Sequence, residues 1–356
     1  MSTLFRYVSR EILGATALAL LALVGLFSFF DLIAEMGDAH TATYTPLLAL
    51  AHVALSTPVR LYELMPVALL IGSLFAWNRL ALASEFSVMR SAGLSMHRLL
   101  AWMVVLGAAI GVLTLLLGEY VMPHAEQAAK QLKTRAKSGV VAREFRTGLW
   151  AKDGNTFINA QAMRPDASLH GVRLYIFDEA FRMRALRQAE EAVWAEGRWS
   201  LRRVTETAIG DDRTTTRSLP DMEWASAVTP DLLSVLMVAP ERMSIATLRA
   251  YVDHLRENRQ EAGRYEIALW NKMIYPAAGP IMLLLALAFA YRPPRSGGVG
   301  GRLLLGVVLG LGFHLVNRLV AQVAQLLDWS APGAAMAPVL LIGAAAYVTI
   351  WWQENR

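Results

Sequence analysis

Residues 156–177 read TFINAQAMRPDASLHGVRLYIF, and this stretch decides how the chain is organised. Short runs rich in branched and aromatic residues, separated by turn-forming residues, are typical of β-strands. Four such runs lie between residues 156 and 204: Thr156–Met163, Val172–Phe177, Ala192–Ala195 and Trp199–Val204. They belong to a polar middle section, His124–Arg264, which therefore is a folded, mostly β domain of the sandwich or jelly-roll kind and not a linker.

Strongly apolar sequence flanks this middle section on both sides. The chain of 356 residues is 55% hydrophobic and only 18% charged, more apolar than a soluble core requires. Six stretches are long enough to cross a bilayer: Ile12–Phe30, Val59–Ala83, Leu99–Val121, Ile267–Ala290, Leu303–Leu327 and Ala335–Trp352. A short amphipathic stretch, Leu47–Leu55, precedes the second.

The expected fold is an α-helical membrane protein with six transmembrane helices, three before and three after an inserted periplasmic, mostly β (jelly-roll-like) domain. Residues 1–123 carry the first three helices, residues 124–265 the β domain and residues 266–356 the last three helices. The first apolar run is too long for a secretory signal, although a weak small-residue site at 39–42 leaves cleavage as the alternative.

Lysine and arginine in the short loops indicate the orientation. One set of loops and the N-terminus are basic, with Arg6, Arg10, Arg79, Arg90, Arg98, Arg292, Arg295 and Arg302. The opposite loops hold Arg60 among the acids Asp31, Glu35, Asp38 and Asp328. Because cytoplasmic loops are enriched in Lys and Arg, both termini are expected in the cytoplasm of a bacterium and the β domain in its periplasm.

Several classes of function lack their sequence signature. The chain has no cysteine, no G-x-x-x-x-G-K-[ST] phosphate loop, no H-E-x-x-H zinc motif and no G-x-S-x-G nucleophile elbow. Its net charge of +5 is spread without a recognition motif for nucleic acid. Glu119, His124 and Glu126 cluster near the end of the third span, either as a metal site or as an ordinary polar cluster at the membrane surface. We expect no enzyme active site and no bound metal.

Polar residues within and beside the spans are the candidate binding residues. His314, Arg318, Gln322 and Gln325 recur at intervals of four, four and three on the fifth span, so they share one helix face. Such a face lines either a transport cavity or a hydrogen-bonded seam between helices. Basic residues where the second and third spans leave the membrane are candidate rim cations or a solvated surface: Arg60, Lys130, Lys133, Arg135 and Lys137.

Two pairs of glycines lie within the spans. The pairs Gly107/Gly111 and Gly306/Gly310 are spaced for close contact between helices, and we interpret them as packing positions only.

The loop between the second and third spans, Leu82–Leu99, has the composition of a short amphipathic helix, with Phe86, Val88 and Met89. Such a helix would present a surface to a soluble partner. Because the chain lacks a nucleotide site but has the layout of a transporter, a separate ATPase is the partner this surface would bind.

Within this loop, SEFSVMRSAGLS (84–95), with Glu85, Arg90 and Gly93, resembles the coupling-helix motif of the LptF/LptG permease family. The segments GLWAKDGNTFI (148–158) and AGRYEIALWNKMIYP (262–276) resemble the LptG branch of that family more than the LptF branch. The likeness extends over essentially the whole chain.

The resemblance implies a non-catalytic permease subunit of the ABC transporter that exports lipopolysaccharide. Its implied partners are an LptF-type permease, an LptB-type ATPase dimer, an LptC-type bitopic protein and a periplasmic LptA-type bridge. It implies that the partner ATPase uses ATP and Mg, with no cofactor bound by this chain. Lipid would enter from the outer leaflet between span one of one permease and span five of the other, and the coupling helix at about 84–98 would act through Glu85, Phe86, Met89, Arg90 and Gly93.

One departure from this expectation is the acidic outer end of span one, at Asp31, Glu35 and Asp38. Like charges repel, so a phosphorylated lipid there would need divalent cations or a partner permease to compensate, or its head group would lie elsewhere. Three alternatives stay open: an LptF-type subunit, a membrane scaffold for periplasmic envelope proteins, and an enzyme acting on envelope lipids.

Overall fold

The computed structural model describes residues 3–38, 44–136, 148–164, 167–210, 213–235, 239–290, 299–327 and 329–354. Within these ranges six helical stretches are long and apolar enough to cross a membrane: Thr3–Gly37, Pro46–Leu82, Met96–Lys133, Gly263–Phe289, Gly306–Leu326 and Ala331–Trp352. Three precede and three follow an inserted β-sheet, which confirms the expected fold class.

In the first half of the chain, the described residues form five α-helices and one π turn. They are α1 (Thr3–Asp38), α2 (Pro46–Leu82), α3 (Glu85–Ser91), α4 (Met96–Leu116), a π turn (Leu117–Val121) and α5 (Met122–Ala136). The amphipathic stretch at 47–55 is not a separate element, because α2 runs through it without a break. Thr45 caps α2, its Oγ1 accepting from Leu48 N at 3.4 Å. The third span is α4, the π turn and α5 in continuous succession.

After the sheet, the part of the chain that the structure describes forms six further α-helices. They are α6 (Pro230–Val235), α7 (Ile245–Glu257), α8 (Gly263–Ile274), α9 (Ala278–Ala290), α10 (Val299–Leu326) and α11 (Ala331–Glu354). A 3₁₀ turn, Tyr275–Ala277, joins α8 to α9 within the fourth span. Ser244 caps α7, its Oγ accepting from Thr247 N at 3.0 Å.

The core of the helical bundle lies between α2, α4 and α9. Trp77, Met103 and Met282 are fully buried there. Gly107 and Gly111 on α4 let the fourth span approach so closely that an added β-carbon would overlap the backbone of that span. The glycines of α4 therefore act in helix packing, as expected.

The faces of α1 and α10 are different, because they leave large apolar side chains uncovered. Leu18 and Leu21 on α1 and Leu304 and Leu315 on α10 are each at least 60% exposed. In water such surface would be unfavourable, so these helices require lipid or a partner helix against them.

The inserted domain is one antiparallel sheet whose described strands follow the chain order. The strands are β1 (Leu149–Asp153), β2 (Thr156–Met163), β3 (Leu169–Phe177), β4 (Met183–Ala195), β5 (Arg198–Ile209) and β6 (Thr214–Trp224). The predicted run Thr156–Met163 coincides with β2, and the other three predicted runs lie within β3, β4 and β5. Turns at Gly154 and Gly197, both at positive φ, connect β1 to β2 and β4 to β5.

Tryptophans and one buried carboxylate hold the sheet. Trp199 is fully buried and donates from Nε1 to Val228 O at 2.7 Å. Glu206 accepts hydrogen bonds from Arg187 Nε at 2.9 Å and Arg217 Nε at 2.6 Å. These arginines lower the pKa of Glu206 below its ordinary value although burial opposes the change, so the ionised carboxylate stabilises the sheet at neutral pH.

Candidate functional site

Helix α3 lies at the end of the bundle away from the sheet and has two different faces. On its inner face Met89 is buried against the bundle and Phe86 packs edge-to-face on Trp77, with ring centroids 5.7 Å apart. On its outer face Val88 is 63% exposed. Two of the predicted coupling residues, Phe86 and Met89, therefore fix the helix to the bundle. Val88, which is not one of the predicted coupling residues, belongs to its exposed surface.

The entry and exit of α3 use unusual backbone. Ser84, just before the helix, has φ of 60°, and Gly93, just after it, has φ of 91°. Between them Arg90 donates from Nη1 to Leu94 O at 2.9 Å and closes the turn at the end of the helix. Gly93 is at a position that favours glycine, because a residue with a β-carbon is strained at positive φ.

Glu85 connects α3 to the start of α1. Its carboxylate accepts a hydrogen bond from Tyr7 Oη at 2.7 Å. One turn further along α1, Glu11 forms an ion pair with Arg79 of α2. A displacement of α3 would therefore be transmitted to the first span as well as to the second.

The candidate rim cation Arg60 is held in an ion-pair network at the opposite end of the bundle, which we call the domain end because the sheet lies there. Two of its nitrogens donate to the carboxylate of Asp31, each at 2.7 Å, and its Nη1 donates to Glu63 at 2.9 Å. At the domain end of α1, Asp31 is thus paired with a cation of the same chain.

The other rim candidates are paired in the same way. Lys133 Nζ lies 2.5 Å from Glu35, whose other hydrogen bond comes from Tyr44 Oη at 2.8 Å. Lys130 Nζ lies 3.6 Å from Glu126. The side chain of Arg135 and the whole of Lys137 lie outside the described residues. Asp31 and Glu35 of the first span are therefore paired within the chain, and the side chain of Asp38 lies outside the described residues. Charge counting along the sequence does not reveal these two pairings.

The polar positions of α10 lie on a face that the rest of the bundle does not cover. Arg318, Gln322 and Gln325 are exposed, and they continue an exposed stripe that begins with Leu304, Val308, Leu311 and Leu315. The spacing of four and three residues keeps this stripe on one side of the helix. The side chain of His314 lies outside the described residues. The stripe changes from apolar to polar toward the domain end.

Glu119, His124 and Glu126 have different partners and do not converge. Glu119 accepts from the backbone N–H of Ile245 at 2.7 Å, Glu126 from Arg242 Nη1 at 2.9 Å, and His124 Nδ1 lies 2.7 Å from Tyr120 O. Across the part of the chain that the structure describes, no group of three or more His, Asp or Glu could hold a metal ion. These residues form a polar junction between the third span and the segment that follows the sheet.

Two residues of the fourth span join this junction and were not singled out from the sequence. Lys272 is buried and donates to the backbone oxygens of Gly118 and Met243, and Tyr275 Oη donates to Tyr62 O at 2.8 Å. The available signal was a lysine inside an apolar span, which is costly unless it has partners.

The comparisons with known proteins agree on one family, and the matches extend along most of the chain. A family model described as lipopolysaccharide export system permease LptF/LptG matches residues 6–352. The lipopolysaccharide export system permease protein LptG of Haemophilus influenzae is 31% identical over 358 residues, covering 100% of this chain and 99% of the relative. The protein of the same name from Escherichia coli strain K12 is 30% identical over 317 residues, or 88% of each chain.

Proposed function

Since the chain belongs to the lipopolysaccharide export system permease LptF/LptG family, we propose that it is a permease subunit of the ABC transporter that extracts lipopolysaccharide from the inner membrane of a bacterium. The observation that carries this proposal is the family match along nearly the whole chain. The six membrane-spanning helices with an inserted sheet support it, because they provide a path within the membrane and a domain beyond it.

The proposed orientation places both termini in the cytoplasm and the β domain in the periplasm. Arg6 and Arg10 are exposed at the same end of the bundle as Arg79 and Arg90, since Tyr7 contacts Glu85. Basic residues gathered at one end favour the cytoplasmic side. Exposed aromatic residues lie near both ends of the spans, as expected at the two membrane surfaces: Tyr120 and Trp329 at the domain end, Trp351 and Trp352 at the other.

A separate ATPase of the LptB type drives transport by binding at α3. The exposed face around Val88 supplies the docking surface, and Glu85 links that surface to α1 through Tyr7. ATP and Mg are used by this partner, and the chain itself is non-catalytic, because its sequence has no phosphate-binding loop.

The uncovered faces of α1 and α10 are the proposed contacts with a second, LptF-type permease and the helix of an LptC-type protein. The polar half of the α10 stripe, Arg318 and Gln322 with His314 on the same span, faces the lipid path between the two permeases. Buried against a partner, polar groups that hold head-group oxygens are less costly than the same groups facing acyl chains.

The rim cations Arg60, Lys130 and Lys133 are proposed to meet the lipid phosphates at the outer leaflet. Each already has an acidic neighbour in the chain, so a phosphate would compete with Asp31, Glu35 or Glu126 for it. Such competition allows the lipid to be released after it has bound, because the ion pair between the acid and the cation forms again when the phosphate leaves. The β domain then passes the lipid to a bridge of LptA-type protein.

Two measurements test this proposal: which proteins co-purify with the chain, and whether the purified complex hydrolyses ATP. The chain is purified under mild conditions with its co-expressed neighbours, bound proteins are identified by mass spectrometry, and ATP hydrolysis is measured with and without lipopolysaccharide. We expect a second permease, a soluble ATPase and hydrolysis that responds to the lipid. Recovery of the chain alone, where other membrane complexes remain intact, would instead favour a scaffold.

A further inference from the structure

Three spans lose regular helical hydrogen bonding at the same level of the bundle. The interruptions are Pro66 in α2, the π turn followed by Pro123 in the third span, and the 3₁₀ turn with Pro276 in the fourth. Tyr62 and Tyr275 stack with ring centroids 4.5 Å apart, and a β-carbon at Gly118 would overlap the Tyr62 ring. We call residues 62–66, 117–123 and 272–277 the hinge layer.

The interruption in α2 is repaired by the fourth span. Proline has no backbone N–H, so Pro66 leaves the carbonyl of Tyr62, four residues earlier, without its helical donor. Tyr275 Oη donates to that oxygen at 2.8 Å. A free carbonyl inside a membrane is costly, and a side chain from a neighbouring helix satisfies it here.

The interruption in the third span is repaired in the same way. In the π turn Met122 N bonds to Leu117 O instead of Gly118 O, and the next residue, Pro123, has no N–H to offer. The carbonyl of Gly118 therefore has no backbone donor in its own helix. Lys272 Nζ donates to it at 2.8 Å.

Lys272 also reaches the segment that follows the sheet. Its amine donates to Met243 O, immediately before the cap of α7, and lies 3.8 Å from Glu119. That carboxylate accepts from the N–H groups of Ile245 and Ala246 at the start of α7, where negative charge is favourable. The side chain of Lys272 is only 3% exposed, so one buried amine joins the third span, the fourth span and the return from the β domain.

We propose that Lys272 is a positioning residue for transport: it fastens the start of α7 to the hinge layer, so that bending of the spans turns the β domain with them. This inference rests on the proposed function. Proline and π-turn sites are where helices bend. Because the freed carbonyls bond to side chains of the fourth span instead of their own helices, the three spans bend together, and the shared amine passes the movement to α7.

The experiment compares variants in the assembled transporter. Lys272→Met keeps an unbranched side chain, shorter by one atom, and removes its donors. Arg264→Met, at an exposed cation of the same helix, is the matched control. Lipopolysaccharide released per ATP hydrolysed is the first readout. The second readout is the distance between two spin labels, one at Thr215→Cys in the sheet and one at Leu113→Cys in α4. The labels attach to these two positions of the chain, because its natural sequence has no cysteine.

We expect Lys272→Met to release at least tenfold less lipid per ATP and to lose the ATP-dependent change in label distance, while Arg264→Met behaves as the parent. Normal release per ATP by Lys272→Met would overturn the role of Lys272 and leave the proposed function standing. Absence of ATP-driven release from the parent complex would overturn the proposed function itself.

A second variant separates positioning from stability. Lys272→Met with Pro123→Ala returns a backbone N–H to the third span, so the Gly118 carbonyl regains a donor and the helix is stabilised without the amine. We expect this double variant to fold and assemble as well as the parent but to remain deficient in release. Recovery of release together with stability would show that Lys272 serves folding only and would overturn the proposal.

Discussion

Replacing Asp31 by alanine removes the carboxylate that receives two hydrogen bonds from Arg60, each at 2.7 Å. The side chains are 26% exposed for Arg60 and 31% for Asp31, between a surface pair and a buried one. Exposed pairs contribute up to about 1 kcal/mol, whereas breaking a buried pair costs about 3–5 kcal/mol. We therefore expect a coupling energy of about 1–3 kcal/mol between the two residues.

A double-mutant cycle measures this coupling. Asp31→Ala, Arg60→Ala and the double variant are unfolded thermally in nanodiscs, and the coupling is the departure from additivity. The pair Arg198–Glu223 in the sheet, 2.8 Å apart with side chains 63% and 73% exposed, is the control and should couple by less than about 1 kcal/mol. Strictly additive effects of Asp31→Ala and Arg60→Ala would show that the two side chains do not stabilise each other and would refute the stabilising ion pair that we assign to them.

Three further predictions concern the sheet, α3 and α10. Because the folded-state pKa of Glu206 is lowered, the stability that its ionised carboxylate contributes is complete above the unfolded pKa, about 4.3, and is lost as pH falls through the folded pKa. Glu206→Gln should therefore reduce the decrease in melting temperature that the parent shows on acidification between about pH 6 and 3. Val88→Glu should reduce co-purified ATPase at least tenfold without lowering the melting temperature, and Met89→Glu should lower the melting temperature, because only Met89 is buried. Arg318→Leu should lower the yield of lipopolysaccharide photo-cross-linked to α10 several-fold, and equal yields from Arg318→Leu and the control Leu304→Ala would contradict the polar lining.

Much of the fold could be predicted from sequence because its signals are local. A bilayer-length apolar run identifies a span without reference to its neighbours, and all six predicted spans fall on helices. Strand β2 was placed at its observed bounds because turn residues frame it on both sides. The edge strands β1 and β6 were missed, since β1 has only five residues and β6 contains Pro220, which weakens the strand pattern.

The features of the site that the sequence does not predict depend on contacts between residues far apart in the chain. The acids Asp31 and Glu35 looked unfavourable for a phosphorylated lipid, yet Arg60 and Lys133 from other helices pair with them. The role of Lys272 depends on a carbonyl freed more than 150 residues earlier in the chain, at a distance of 2.8 Å in space. No local periodicity encodes such a pairing, so only the folded chain shows it.

The most direct measurement of the central claim is ATP-driven release of lipopolysaccharide from proteoliposomes to a soluble periplasmic acceptor. The vesicles hold this chain with its partner permease, the bitopic protein and the ATPase, and a matched set carries Val88→Glu at the α3 surface. We predict release that requires ATP and every subunit and that falls with Val88→Glu in proportion to the ATPase lost. Equal release from vesicles that lack this chain would contradict its role as a permease of the exporter.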